Sequence, residues 1–479
     1  MKFNLKYAMI ACAALMAGFT SCSNDDENGL NSGDGEEMGV RFSLVQKSTN
    51  TRAADAAPTI AEREVYTAKL FIFNNNQVLE KVVDFPSGEK VSKPVDIKSG
   101  LHHFLVAVNR DVTMTEGTTT LAEGKKIIRN LADMADVVSA TSPGYFMTTL
   151  EDHTENLMPA TNPSADPITV TIGVGRAMAK VNMVLKNGAN ELTGPQGNLT
   201  NVKYLTANNP REMYSFPVIE TGIYKAPYYA VDVDEWMSPA DQNAKYFPFI
   251  QFADDYSTIS TQSVAPGTPA YIIENANKTP RKHNAAYLLV SGNFIPATWH
   301  NATGESIAAP STLPATFYRL YNVNNDEYYD FYIQANNEVE IALEKFAKTD
   351  VDKGHIIRPI RYRDGECYYA FYLTNQDIES GNSVFTVKRN TYYDVTLNQV
   401  LSAGASVPNI EGNAGGEDED GNPITDPNEY VPGTGGGDGG GNNPGDGGGT
   451  DPIDGESKIK GEVEIIDWAV VGQEGPIGF

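Results

Sequence analysis

Apolar and polar residues alternate along much of this chain, the pattern of β-strands with one buried face. The first clear example spans residues 40–44, where Val40, Phe42 and Leu44 share one face. The other predicted strands are 65–73, 78–83, 103–108, 168–174, 179–185, 271–273, 286–290, 316–321, 328–333, 367–373, 384–387 and 392–397. The pattern therefore predicts a mainly β protein, with a hairpin turning at 74–76 and a domain boundary near 173–175.

One stretch of the first half has a different period. Ile127, Ile128, Leu131, Met134 and Val138 recur at helical spacing. This spacing predicts the one helix of that half, between Ala122 and Val138.

Composition supports a folded and acidic protein. Hydrophobic residues make up 41% of the 479 residues, which is enough for sizeable cores. The chain has 36 basic and 62 acidic residues, for a net charge of −26. Because phosphate backbones are bound by clustered Lys and Arg, no nucleic-acid partner is expected.

The first 22 residues predict an export signal. Lys2 and Lys6 give it a positive start, and the apolar run 7–19 is too short to span a bilayer. Small residues precede Cys22, as in a bacterial lipobox, so we expect Cys22 to be lipidated and to anchor a precursor in the outer membrane. An ordinary signal with an incidental cysteine is the alternative.

Cysteine usage argues against a disulfide. Cys12 leaves with the signal and Cys22 carries lipid, so Cys367 is the one cysteine left in the folded part. Cys367 lies in the predicted strand 367–373, and we expect a buried structural thiol there.

A small and polar stretch, 48–58, follows the first predicted strand. Its composition is typical of an exposed loop, and it contains one basic residue, Arg52. Proteases cut such loops preferentially, so the bond between Arg52 and Ala53 is a candidate cleavage site.

The chain ends in a Gly/Asp-rich linker, assigned to 403–460, and a strongly apolar segment, 461–479. The linker cannot bury apolar area and is expected to be mobile. The predicted donor residues of the terminal segment are Val463, Ile465, Ile466, Trp468, Val470 and Val471. The segment has no local strand with which to pair.

An unpaired apolar strand aggregates unless something covers it. It could fold back onto its own chain, or the linker could let it add to the sheet of another molecule. Cleavage after Arg52 would release Val40, Phe42 and Leu44, and a neighbour's terminal strand could refill the groove. Such head-to-tail contacts grow into an open filament. The sequence does not identify the residues that line the groove.

These features together resemble the type V fimbrial subunits of Bacteroidales, the FimA/Mfa-like family, and most closely its Mfa-like branch. The segments that carry the resemblance are Cys22, Thr51-Arg52-Ala53, Val174-Gly175-Arg176-Ala177-Met178-Ala179-Lys180-Val181, Val387-Lys388-Arg389-Asn390-Thr391-Tyr392-Tyr393-Asp394-Val395 and the terminal strand around Trp468. Their order and spacing over nearly the whole chain make the match specific.

The resemblance implies two transthyretin-like Greek-key β-sandwich domains, a few short helices and a C-terminal arm that ends in a donor strand. The implied segments are a signal peptide (1–22), a propeptide with the first strand (23–52), an N-terminal domain (53–174), a C-terminal domain (175–402), the linker (403–460) and the donor strand (461–479). It also implies an Arg-specific protease acting at Arg52 and a stalk position in the fimbria.

No enzymatic chemistry is expected. The six histidines have no metal-ligand spacing and are expected on the surface or in loops, and no phosphate-binding or nucleophile motif occurs. Acidic runs such as 418–420 could hold calcium, although a solvated loop is favoured. Arg176 and Lys180 are expected to pair with acidic groups or to stabilise the domain junction.

The sequence thus predicts a non-enzymatic fimbrial subunit without cofactors. Its expected partners are other copies of itself and related subunits, the protease, and host or bacterial surface receptors in adhesion. The alternative is a monomeric surface lipoprotein that binds glycan or host protein.

Overall fold

A computed structural model describes most of the chain. The described residues are 35–46, 58–159, 167–230, 243–248, 256–281, 284–322, 324–325, 327–334, 341–375, 380–406, 408 and 458–467. Statements below about structure concern these residues.

Strands dominate the first 176 residues. In chain order they are β1 (Glu37–Gln46), β2 (Ala68–Phe73), β3 (Leu79–Asp84), β4 (Val95–Lys98), β5 (Gly100–Val108), β6 (Ile128–Asn130), β7 (Met147–Thr149), β8 (His153–Leu157) and β9 (Ile168–Arg176). Strands β2 and β3 form the predicted hairpin.

Strands also dominate the rest of the chain. They are β10 (Met178–Leu185), β11 (Leu192–Thr193), β12 (Gly197–Ala207), β13 (Asn209–Pro210), β14 (Glu212–Tyr214), β15 (Val218–Glu220), β16 (Ile223–Lys225), β17 (Tyr246–Phe247), β18 (Ala270–Ile273), β19 (Tyr287–Pro296), β20 (Trp299–His300), β21 (Ser306–Ile307), β22 (Phe317–Asn322), β23 (Glu327–Tyr328), β24 (Ile333–Gln334), β25 (Ile357–Tyr362), β26 (Glu366–Tyr372), β27 (Thr391–Val400) and β28 (Ile459–Asp467).

The helices are short. The α-helices are α1 (Leu121–Lys125), α2 (Tyr256–Gln262), α3 (Leu343–Phe346) and α4 (Lys348–Asp352), and 3-10 turns occur at Ala61–Arg63, Met134–Asp136, Lys186–Gly188 and Arg363–Gly365. The predicted fold class, mainly β with a few short helices, is confirmed.

The first half of the chain is organised around one large sheet. Its strand order is β3-β2-β5-β7-β9-β1-β4, with β8 also paired to β5. Strand β1 lies between β9 and β4, so the first strand of the chain is internal to the sheet. One core cluster combines residues of β1, β2, β4, β5 and β9.

The second half is a sandwich of two four-stranded sheets. Their orders are β18-β10-β27-β28 and β11-β12-β19-β26. The main core lies between them and includes Val181 and Val395 from the first sheet and Leu199 and Val290 from the second. A third sheet, β21-β20-β24-β22-β23 with β25 on β22, adds Phe317 and Tyr362 to this core.

The helix predicted between Ala122 and Val138 is wrong over most of that range, of which helix α1 covers only the first four residues. Helix α1 ends at Lys125, and Ile128 begins β6, which pairs with β14. The Thr120–Glu123 capping box supports only the short α1. Pairing with a strand more than 80 residues away then overrides the local helical period.

Two predicted strands also differ from the structure. The stretch 328–333 is extended only at its ends, in β23 and β24, and 384–387 contributes a single bridge, from Val387 to Asn275. Among strands of six or more residues, the pattern missed β12 and β25. Strand β12 contains a register shift between Thr200 and Lys203, which breaks its alternation.

A buried ionic cluster lies where the two halves meet. The Lys180 Nζ lies 3.0 Å from the Glu62 Oε1, and neither side chain is more than 3% exposed. The Tyr271 hydroxyl donates to the same carboxylate at 2.6 Å, and Arg176 donates to the Glu62 carbonyl at 3.1 Å. Burial and the negative charge of Glu62 raise the pKa of Tyr271. Lys180 therefore has an acidic partner as predicted, and Arg176 contacts the backbone of the same glutamate.

We expect Glu62→Ala to lower the free energy of unfolding by about 3–5 kcal/mol, because it leaves the Lys180 charge buried without its carboxylate. Urea unfolding of the full chain measures this. The exposed Glu64→Ala is the matched control, with an expected change below about 0.5 kcal/mol. Adding Lys180→Met to Glu62→Ala should recover part of the loss. Equal stabilities of the Glu62→Ala and Glu64→Ala proteins would contradict this account.

Candidate strand-exchange site

Strand β1, which we call the leader strand because it lies in the predicted propeptide, buries alternate side chains in the core. Val40 and Phe42 are 0% exposed and Leu44 is 5% exposed, while the residues between them are only partly buried. The predicted buried face of this strand is therefore present. The predicted removal of the strand on maturation remains a prediction.

Backbone pairing holds β1 on both sides. It runs parallel to β9, from Val40 opposite Ile168 to Gln46 opposite Val174. On its other side its first four residues pair antiparallel with β4. Beyond β4 the chain continues the contact, since the Ser92 N–H donates to the Phe42 carbonyl at 2.9 Å. Loss of β1 would thus open a slot with hydrogen-bonding groups on both walls.

The floor of this slot is apolar. The Phe42 ring lies 5.4 Å from the ring of Phe104, centroid to centroid. The buried residues around the leader side chains include Val95, Ile97, Phe104, Val170, Ile172 and Val174. Alternation predicts Val170, Ile172 and Val174 on one face of a strand, but only the topology shows that the six residues surround β1.

The terminal strand β28 pairs with β27 of its own chain. The two run antiparallel, from Thr391 opposite Asp467 to Val400 opposite Ile459. The sequence offers this segment no local partner, and the structure provides one about 60 residues upstream. Of the predicted donor residues, Val463, Ile465 and Ile466 lie in β28, whereas Trp468, Val470 and Val471 lie outside the described residues.

Odd-numbered residues of β28 face the core. Ile459 is 1% exposed, and Val463 and Ile465 pack against the main core cluster. Gly461 lies between them, where an added Cβ would come within 2.9 Å of the Thr396 carbonyl. Strand β28 is nevertheless an edge strand with a ladder on one side, in contrast to the two ladders of β1.

The predicted lipidation and cleavage residues Cys22, Arg52 and Ala53 lie outside the described residues. Cys367 is fully buried, and burial raises the pKa of its thiol to about 11. This agrees with the structural thiol expected there.

One histidine departs from the surface prediction. His102 is 3% exposed, and its Nε2 lies 3.2 Å from the Glu80 Oε2. The hydrogen bond from His102 lowers the pKa of Glu80. Within the described ranges, no group of three or more His, Cys, Asp or Glu residues could hold a metal ion. No helix in the same ranges is long and apolar enough to cross a membrane.

No family model matches the sequence, and no curated protein matches it. Solved structures do resemble the fold. A candidate cell adhesion protein from Parabacteroides distasonis has a TM-score of 0.45 at 13% identity, over 90% of this chain and 99% of its own. Fimbrilin FimA from Porphyromonas gingivalis has a TM-score of 0.43 at 14% identity, over 91% and 99%.

The tip fimbrial protein Mfa3 from Porphyromonas gingivalis, with a C-terminal truncation, has a TM-score of 0.35 at 10% identity. That match covers 76% of this chain and 96% of the other. At these TM-scores and sequence identities, the similarities to solved structures support no statement about function.

We expect Gly461→Val to unseat β28, because its new side chain meets Leu397 and the Thr396 carbonyl. Hydrogen exchange of the β27 amides reports the loss as faster exchange at the positions that face β28. The control is Glu464→Val, which introduces the same side chain on the exposed face of β28 and should leave exchange unchanged. Unchanged exchange of the β27 amides in the Gly461→Val protein would argue against the pairing of β28 with β27 described above.

Proposed function

We propose that this chain is a structural, non-enzymatic subunit of a cell-surface fimbria that polymerises by strand exchange and mediates adhesion. The observation that carries the proposal is the internal position of β1, which is paired on each side and has three buried side chains. A strand that precedes the candidate cleavage site is thus flanked by other strands on both sides. Its removal would leave a groove shaped for another strand.

The two strand positions favour exchange energetically. Strand β28 has one ladder in its own chain, whereas a strand in the groove of β1 would have two. Each additional backbone hydrogen bond contributes about 0.5–1.5 kcal/mol net. Each fully buried large apolar side chain adds about 1.5–3 kcal/mol. These contacts therefore lower the free energy when a terminal strand moves from the edge of its own sheet to a neighbour's vacated groove.

The arrangement of arginines supports Arg52 as the cleavage site. Three arginines occur in the first 100 residues: Arg41, Arg52 and Arg63. Arg41 lies within β1 and pairs with Thr169. The Arg63 carbonyl accepts from the Gln46 side chain at 3.0 Å and its N–H donates to Ile60 at 2.9 Å. A protease requires backbone free of such bonds, which argues against cleavage at Arg41 and Arg63.

The cellular route follows from the same assignments. Lipidated Cys22 would hold the precursor at the outer membrane, and cleavage between Arg52 and Ala53 would free the subunit from lipid and leader together. The mature chain would then comprise an N-terminal domain to residue 174, a C-terminal domain to about residue 402, the linker and the donor strand. Receptors on host or bacterial surfaces would be its adhesion partners.

The pairing of β28 with β27 of its own chain supports a second candidate function, a monomeric surface lipoprotein that binds glycan or host protein. In that case the terminal strand would stay on β27 permanently. Glycan-array binding by the uncleaved monomer, together with a single band after protease treatment, would favour this alternative.

Treatment of the full chain with an Arg-specific protease should give a heat-sensitive ladder on a denaturing gel. We expect Arg52→Ala to abolish the ladder, because the leader then stays in its groove. Arg63→Ala is the matched control and should polymerise like the wild type. Deletion of 461–479 should also abolish the ladder while cleavage still occurs. A normal ladder from the Arg52→Ala protein would contradict cleavage at this site.

Phe42→Ala should weaken the seat of the leader by about 3–5 kcal/mol, because it empties the buried contact with Phe104. After cleavage, the leader should dissociate faster and the ladder should appear sooner. Arg41→Ala, on the opposite face of the same strand, controls for changes to the leader and should keep the wild-type rate. If the Phe42→Ala chain loses its leader faster yet polymerises no sooner, leader release does not open the groove.

A further inference from the structure

The residues that follow the end of β27 remain buried. Ser402 is 7% exposed, Ala403 is fully buried and Ala405 is 7% exposed. The sequence predicts a linker that begins at residue 403, whereas residues 403–406 are buried in the structure. We call Ser402–Ala405 the tether root, because the rest of the predicted linker follows it.

Three side chains from other strands bind the backbone of the tether root. Arg319 Nη1 donates to the Ala403 carbonyl at 2.9 Å. The Tyr362 hydroxyl donates to the Gly404 carbonyl at 2.8 Å, and the Tyr369 hydroxyl donates to the Ser402 carbonyl at 3.0 Å. Three consecutive carbonyls are thus each held by a buried donor.

The tether root also connects the two sheets of the sandwich. It leaves β27 in one sheet, and Ala405 then exchanges two backbone hydrogen bonds with Tyr368 of β26 in the other, each 2.9 Å. An added Cβ at Gly404 would come within 2.2 Å of the Tyr368 carbonyl. Glycine at this position is what permits the close crossing.

Burial of Arg319 shows that the site is costly to maintain. The residue is 1% exposed, and its guanidinium lies 4.6 Å from the ring of Tyr328 and 5.4 Å from the ring of Tyr332. Its nearest carboxylate, Asp330, is 3.6 Å away and largely exposed. Burial of a cation without a buried carboxylate is unfavourable, and here aromatic faces and a backbone carbonyl compensate for it.

We propose that Arg319, Tyr362 and Tyr369 are positioning residues that anchor the tether root against tension in the fibre. The inference rests on the proposed function. Once β28 lies in a neighbour, the only covalent path between that strand and its own sandwich is the chain after β27. All tension between the two subunits then enters the fold at the tether root.

The anchor matters because of how strands separate under force. Departure of β28 would make β27 an edge strand, and a pull on its C-terminal end would break its hydrogen bonds one after another. Because Ser402–Ala405 is attached to both sheets, a pulling force is shared between the two sheets and among several hydrogen bonds at once. The tether root would therefore protect β27 from peeling.

Single-molecule pulling on the intact, unpolymerised chain tests this directly. Peptide tags for handle attachment are inserted after Asn190, in an exposed turn, and after Gly447 in the linker. The wild type should unfold without an early extension. The Tyr362→Phe/Tyr369→Phe protein should show a separate low-force step of about 14 Å, which is the four residues of the tether root at about 3.4 Å each. Hydrogen exchange at Ala405 without force should be roughly ten- to thirtyfold faster.

Tyr204→Phe is the matched control. Its hydroxyl is also buried and donates to the Thr268 carbonyl at 2.6 Å, but it does not contact the tether root. It should lower the unfolding force without adding the early step. An early step in the wild type, its absence in the double variant, or its presence in the control would overturn the inference. The assay needs no strand exchange, so failure of the proposed function would appear separately, as loss of the gel ladder.

Discussion

The double-sided pairing of β1 is the constraint on which the rest of this structure depends. Strand β1 separates β9 from β4, and its side chains complete the core of the first half. A sheet that lacks an internal strand exposes two rows of backbone groups and an apolar floor. Such a sheet cannot remain empty in water without loss of stability or aggregation. If the leader is removed, the subunit therefore requires another strand, and polymerisation becomes a condition of its stability.

The terminal strand is suited to fill the vacated groove because it is paired on only one side in its own chain. Strand β28 covers an edge, where it shields β27 and adds Val463 and Ile465 to the surface of the core. At this edge the apolar strand is covered by its own chain. An edge position also has fewer backbone hydrogen bonds than an internal one. The same edge geometry that protects the strand would therefore ease its release in the proposed exchange.

Local alternation was enough to predict β1 and β9, because each has one buried face over most of its length and no register shift. It failed where distant contacts decide the structure. Ile128 joins a strand through β14, and β12 loses its alternation at the shift between Thr200 and Lys203. Glu62 had no local signal at all, since Lys180 and Tyr271 reach it only in the folded chain. The groove lining and the tether root were likewise beyond prediction, because both are products of topology.

The position of Glu62 explains how the leader could leave without loss of the junction. Gln46, the last residue of β1, accepts from Arg176 at 3.4 Å, and this contact would be lost with the leader. Glu62 lies after the candidate cleavage site and keeps both its ion pair with Lys180 and its carbonyl contact with Arg176. Among the described residues, Gln46 thus contributes a neutral side chain to the junction, while the ion pair of Glu62 with Lys180 belongs to the part of the chain that remains. Removal of the leader would empty the groove and leave the two halves joined, as a subunit that transmits tension requires.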